Sequence, residues 1–111
     1  MASSVDDAFT ALADPTRRRV VRLLAKKPRR SSDLADALEL SRPATSKHLR
    51  VLRRAGIVHE RISEADARER IYDVDPKRLA PVRTWVEQVE AFWNEQLTAF
   101  AEHVSRRRRG R

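Results

Sequence analysis

Over most of the chain, apolar residues recur every three or four positions, the spacing of one face of a helix. Val5, Ala8, Phe9 and Leu12 make the first such stripe. Ser3 or Ser4 stands as its N-cap, and Asp6 and Asp7 sit in the first turn, where acidic groups meet the positive end of the helix dipole. Asp14-Pro15 opens a second helix as a cap followed by proline at the first helical position, with Val20, Val21, Leu23 and Leu24 as its apolar stripe. Lys26-Lys27-Pro28 closes it with positive charge and a proline stop. Ser31-Ser32-Asp33 begins a short third helix whose Leu34, Ala35 and Leu38 face inward. After the turn Glu39-Leu40-Ser41, Ser41 caps a fourth helix, which tolerates Pro43 in its first turn and runs to Ala55. Gly56 supplies the left-handed stop.

From Ile57 the pattern changes. IVHERI and RERIYDV are rich in β-branched and aromatic residues and flank the polar segment SEADA, which predicts a two-stranded hairpin without a glycine turn. Asp75-Pro76 restarts helical character, Pro81 breaks or restarts it, and Val82 to Val104 reads as one long helix. The predicted fold is mainly α with a small β-hairpin, in the order α-α-α-α-β-β-α: a winged helix-turn-helix dimerising through its first and last helices. Residues 1–104 form one DNA-binding and dimerisation domain, and 105–111 form a basic tail, read as disordered or as an auxiliary arm for phosphates.

The fourth helix carries the chemistry. With Ser46 at zero on a helical wheel, Arg42, Arg53, Arg50, Pro43, Arg54 and Lys47 fall within an arc from roughly −40° to +100°. That arc contains no acidic residue, whereas a solvated helix face ordinarily mixes both signs. Ser41, Arg42, Thr45, Ser46 and Lys47, near the helix start, suit the floor of a DNA major groove, where Arg and Lys pair with guanine acceptors. Arg50, Arg53 and Arg54 lie where the helix leaves the groove and suit phosphates. His48 falls in the apolar arc, where a packed, hydrogen-bonded role comes ahead of DNA contact, and Thr45 stands at the edge of the same arc.

Charge and composition narrow the partner. The formal net charge is +8, and five of the 24 basic residues lie in the tail RRRRGR, leaving about +3 for the folded part. A polyanion is the indicated partner. Cysteine is absent, which excludes disulfides and thiolate metal sites. The three histidines, at 48, 59 and 103, are scattered, and no nucleophile–base pair or glycine-rich phosphate loop occurs, so the chain does not read as an enzyme. No apolar run is long enough to span a bilayer, and a cytoplasmic protein without a membrane role is expected.

The last helix points to a second copy of the chain. Val82, Val86, Val89, Trp93, Leu97, Phe100 and Val104 form one stripe, and Trp85, Val89 and Phe92 a second beside it. One stripe fits the chain's own core; two would leave a large apolar patch on a monomer. The expected twofold seam comprises Val5, Phe9, Trp85, Val89, Phe92, Trp93, Gln96 and Phe100.

SRPATSKHLRVLRRAGIV, preceded by FTALADPTRRRVVRLLA, resembles the ArsR/SmtB-like bacterial transcriptional regulators over about Phe9 to Tyr72. The resemblance implies a homodimeric winged helix-turn-helix repressor. By position it places Ser41, Arg42, Thr45, Ser46, Lys47, His48 and Arg50 in the recognition segment and Arg68 and Arg70 in a basic wing. Two departures stand out. The third helix lacks the cysteines with which many members sense metals, and the last helix offers one histidine, His103, so the chain is similar to the metal-independent members and no metal or cofactor is expected. The wing carries Glu64, Asp66 and Glu69, and whether Arg61, Arg68 and Arg70 grip phosphate stays open, as does the effector. The expected function is sequence-specific repression by a homodimer on an inverted-repeat operator in double-stranded DNA. The alternative is a winged-helix module docking on an acidic protein.

Overall fold

The computed structural model describes residues 4–110. Its elements are α1 (Ser4–Leu12), α2 (Pro15–Lys26), β1 (Arg29–Arg30), α3 (Ser31–Leu38), α4 (Arg42–Arg54), β2 (Val58–Ile62), β3 (Arg70–Val74), a 3₁₀ turn (Pro76–Leu79) and α5 (Ala80–Arg109). The predicted order of helices and hairpin is present. The capping role expected of Ser3 or Ser4 falls outside the described residues and side chains, as does Arg111 of the tail. The described chain divides into two compact units between Pro81 and Val82.

The first unit is built on local signals. Asp14 caps α2 by accepting hydrogen bonds from the backbone N–H of Thr16 (2.7 Å) and Arg17 (3.1 Å), and Pro15 follows in the first turn. These bonds, that from Arg17 first, hold the Asp14 carboxyl below the ordinary value of 3.8. Two arginines seal the corner between α1 and α2. Arg17 donates from Nε to the Ala11 carbonyl (2.6 Å) and from Nη2 to that of Thr10 (3.2 Å). Arg18 donates from Nη1 to Leu12 (2.7 Å) and Ala13 (3.1 Å). The last carbonyls of α1, which have no partners inside the helix, are thereby satisfied.

Helices α3 and α4 both end in paired backbone bonds closed by a left-handed residue. After α4, Gly56 (φ 78°) lets its own N–H reach the Arg53 carbonyl and that of Ile57 the Leu52 carbonyl. After α3 the same pattern joins Glu39 to Asp36 and Leu40 to Ala35, but the left-handed residue is Glu39, at φ 55°. A side chain with a Cβ is disfavoured in that conformation.

The core gathers Ala8 and Ala11 of α1, Val20 and Leu24 of α2, Leu34, Ala35 and Leu38 of α3, Leu49 and Leu52 of α4, and Ile57, Val58 and Tyr72 around the sheet. In α1 the small pair Ala8 and Ala11 turns inward, while Phe9, expected at the twofold seam, is exposed. The sheet has three strands rather than two, ordered β1-β3-β2 and antiparallel throughout. Arg29 pairs with Tyr72 and Arg30 with Ile71, so the segment before α3 closes the edge of the hairpin. The hairpin turns without glycine. Ser63 Oγ accepts from the N–H groups of Ala65 (3.2 Å) and Asp66 (3.4 Å), and Asp66 Oδ1 accepts from the Arg68 N–H (2.9 Å).

The second unit is α5. It tolerates Pro81 in its first turn and continues past the expected end at Val104 to Arg109. Arginine is a good helix former, and four cations in the last turn complement the negative end of the dipole.

Two predictions follow from these termini. Glu39→Gly should raise stability by about 0.5–1 kcal/mol, after discounting the freedom that glycine adds to the unfolded chain. A urea midpoint equal to or below that of the wild type would contradict the strain at this turn. Asp14 has a folded pKa below its unfolded value, so its contribution is present above pH 3.8 and lost as pH falls through the folded pKa. Asp14→Ala should therefore be less stable than the wild type at neutral pH, with the gap closing in melts recorded at progressively lower pH below 3.8.

Candidate nucleic-acid interface

Helix α4 starts in the way its sequence predicts. Ser41 Oγ accepts from the Ala44 N–H (3.2 Å), Pro43 sits in the first turn, and the backbone at Ser41 is extended. This cap fixes the end of the helix that has to approach a ligand. One face of α4 is then completely covered: Leu52 is 0% exposed, and Leu49 and Thr45 are 1% exposed. On the other face Ser41, Arg42, Ser46, Lys47, Arg50, Arg53 and Arg54 are all exposed.

Two residues expected at the interface are placed otherwise. Thr45 is buried, and its hydroxyl donates to the Ser41 carbonyl at 2.9 Å. That back-bond satisfies a polar group in the core. His48 is half-buried on the side facing α2, with Nδ1 3.5 Å from Nη1 of Arg17.

The remaining cations differ in their surroundings. Among the described residues Arg42, Lys47, Arg50 and Arg54 make no ion pair, which leaves their donors available to a ligand. Arg50, Arg53 and Arg54 together line an open depression at the C-terminal end of α4. Arg53 Nη1 donates to Glu60 Oε2 on β2 at 2.7 Å, and Arg70 Nε on β3 lies 3.3 Å from Glu60 Oε1. Tyr72 donates its hydroxyl to the same Oε2 at 2.9 Å. Burial first, and this bond to a carboxylate second, push the Tyr72 hydroxyl up to about 12. Glu60 went unnoticed in the sequence, where nothing in VHERI marks one charged residue above its neighbours.

On the wing, Arg68 is 92% exposed and reaches only Asp66 (3.4 Å). The acids at the tip are partly neutralised from within. Asp66 also accepts from the Arg68 N–H, and Glu69 pairs with Arg30 (3.0 Å), which holds Asp33 of α3 as well (3.1 Å). The hydrogen bond from Arg30 in turn lowers the Asp33 carboxyl. Among the described residues no group of three or more His, Asp or Glu side chains could hold a metal ion, and no helix is long and apolar enough to cross a membrane.

The residues expected at a twofold seam lie on α1 and α5. Val5 and Val89 are half-buried, whereas Phe9, Trp85, Phe92, Trp93, Gln96 and Phe100 are exposed. Trp93 keeps 59% and Phe100 67% of its surface, and Phe92 meets Trp93 edge-on with ring centroids 6.3 Å apart.

Comparison with known proteins places the chain in a family. The bacterial regulatory protein, arsR family, domain matches residues 14–60, from the cap of α2 to Glu60. The HTH-type transcriptional regulator Rv2034 of Mycobacterium tuberculosis is 42% identical over 101 residues, covering 91% of this chain and 89% of that one. The transcriptional repressor SdpR of Bacillus subtilis is 32% identical over 56 residues, half of this chain and 62% of its own length. Among solved structures, an ArsR-like transcriptional regulator from Rhodococcus sp. RHA1 superposes with a TM-score of 0.75 at 30% identity, covering 87% of this chain and 89% of that one. The matched span includes the whole of the capped, cation-faced α4, and the chain belongs to the ArsR family of transcriptional regulators.

Proposed function

We propose that this regulator acts as a homodimeric repressor on an inverted-repeat operator. The observation that carries this reading is the division of α4 into a fully buried face and an exposed face with seven polar or cationic side chains and no acid. The relative SdpR of Bacillus subtilis is a transcriptional repressor, which supports the sign of the regulation. Ser46 and Lys47, with Ser41 and Arg42 at the capped end, read base edges; Arg50, Arg53, Arg54 and, from the wing, Arg68 and Arg70 contact phosphates. Thr45 and His48 hold the helix in place instead of touching DNA.

Twofold symmetry supplies what one short helix lacks. The exposed aromatic face of α5 has the composition of a seam that a second copy covers, and Phe9 of α1 is exposed as well. Two recognition helices related by that symmetry enter successive major grooves about 34 Å apart on one side of the duplex.

Selection of bound duplexes from a random pool tests the reading directly. An inverted repeat is expected; recovered sequences without one would overturn the symmetric operator. With 6–10 phosphate contacts, affinity should drop by about 10³–10⁵ between 50 and 200 mM salt, and a response near zero would contradict DNA binding of this kind. On the selected duplex, Lys47→Ala or Ser46→Ala should lose roughly 1–3 kcal/mol per base contact and relax the preference at one position. Arg53→Ala should weaken all sequences to a similar degree.

The seam has its own test. Trp93 is largely exposed in the chain, so Trp93→Asp should leave the fold of the protomer intact while producing monomers in sedimentation. An unchanged mass would place the partner surface elsewhere.

A further inference from the structure

Glu60 joins two of the cations that the interface depends on, and the geometry points to it as a positioning residue for DNA specificity. We propose that its carboxylate holds Arg53 of the recognition helix and Arg70 of the wing in one register, and so restrains both from seizing phosphates at random. The inference rests on the DNA-binding reading above.

Three contacts converge on this side chain. Arg53 Nη1 donates at 2.7 Å and the Tyr72 hydroxyl at 2.9 Å to Oε2, while Arg70 Nε lies 3.3 Å from Oε1. The three donors come from α4 and from β3, and Glu60 itself from β2. In the strand register Glu60 faces Tyr72 directly, so the tyrosine, 8% exposed, supports the carboxylate from the core side. Helix and wing are thus tied through one acid.

The contacts are incomplete on the arginine side. A guanidinium carries five N–H donors, and Glu60 accepts one from Arg53 and pairs with Arg70 by charge at 3.3 Å. Arg53 and Arg70 keep 47% and 44% of their side-chain surface. Each therefore has donors left for a phosphate oxygen while its direction is already set. A flexible, unpaired arginine grips any phosphate within reach; one held by a buttressed carboxylate meets only phosphates that arrive in the matching position. The negative charge also lowers the attraction of this end of the site for DNA of any sequence. The first effect acts against random duplex more than against the operator; the second acts on both alike.

The test compares Glu60→Gln with the wild type on the selected operator and on random duplex, over a range of salt. The variant is expected to bind random duplex more tightly, by roughly 2- to 5-fold per protomer, the scale of an exposed ion pair. Its operator-to-random ratio should fall, and its salt dependence should steepen by up to about 0.9 for each phosphate gained. That steepening should vanish when Arg53→Ala and Arg70→Ala are added, because these are the cations released. An unchanged ratio and slope, or an equal loss on both duplexes with a lowered melting temperature, would reduce Glu60 to a structural residue and overturn the proposal. Should Glu60→Gln fail to fold, Glu60→Asp keeps the charge but withdraws the carboxylate by one methylene, and the same fall in ratio is expected. Failure of the wild type to bind duplex at all would instead remove the DNA-binding reading, a distinguishable result.

Discussion

Everything in this fold turns on the requirement that α4 be dry on one side and cationic on the other. Leu49 and Leu52 are removed from water almost completely, a burial that stabilises by about 1.5–3 kcal/mol per side chain. Thr45 joins them because its hydroxyl finds the Ser41 carbonyl, so the third inward position costs no unpaired polar group. Once these three positions are fixed against the core, Arg42, Lys47, Arg50 and their neighbours have nowhere to point but outward. The direction of the reading face is thus a by-product of packing, and the two helix stops on either side of the helix, at Glu39 and Gly56, set where it begins and ends.

The sheet serves the same end. The added strand β1 is only two residues long, yet it places Arg30 where it holds Asp33 on α3 and Glu69 in the loop of the wing. Two charged clusters, one on each side of the hairpin, therefore brace the wing against the helices that precede and follow the turn. Neither is buried, and as isolated pairs they add little to global stability. Their value lies in direction.

What the sequence made legible was local. A cap such as Ser41, a proline in a first turn and a glycine stop act within four residues, and each signal is read from neighbours alone. The alternation of the hairpin was visible for the same reason, and the cationic arc of α4 followed from counting around a wheel. Distance along the chain defeated the rest. Strand β1 consists of two arginines after a proline, and only its pairing with residues some forty positions away makes it a strand. The Glu60 cluster joins residues from three elements, and no spacing rule ties Arg53 to Glu60 to Arg70. Thr45 stood at the edge of the apolar arc with both a methyl and a hydroxyl, so its side could be settled only by what surrounds it. Which residues of α1 meet the core was not legible either: the small Ala8 and Ala11 are buried, and the larger Phe9 is exposed.

Arginine does two jobs here, and ionic strength acts on them unequally. Arg17 and Arg18 bind uncharged carbonyls at the end of α1, at short range and with Arg17 partly covered, where mobile ions have little to displace. The arginines of α4 look outward to bulk solvent, where the counterion atmosphere governs what they can hold. A rise in salt can therefore strip the protein from a polyanion while the corner between its first two helices stays closed. Release and unfolding become separate events, and the molecule that leaves the DNA is already shaped to return.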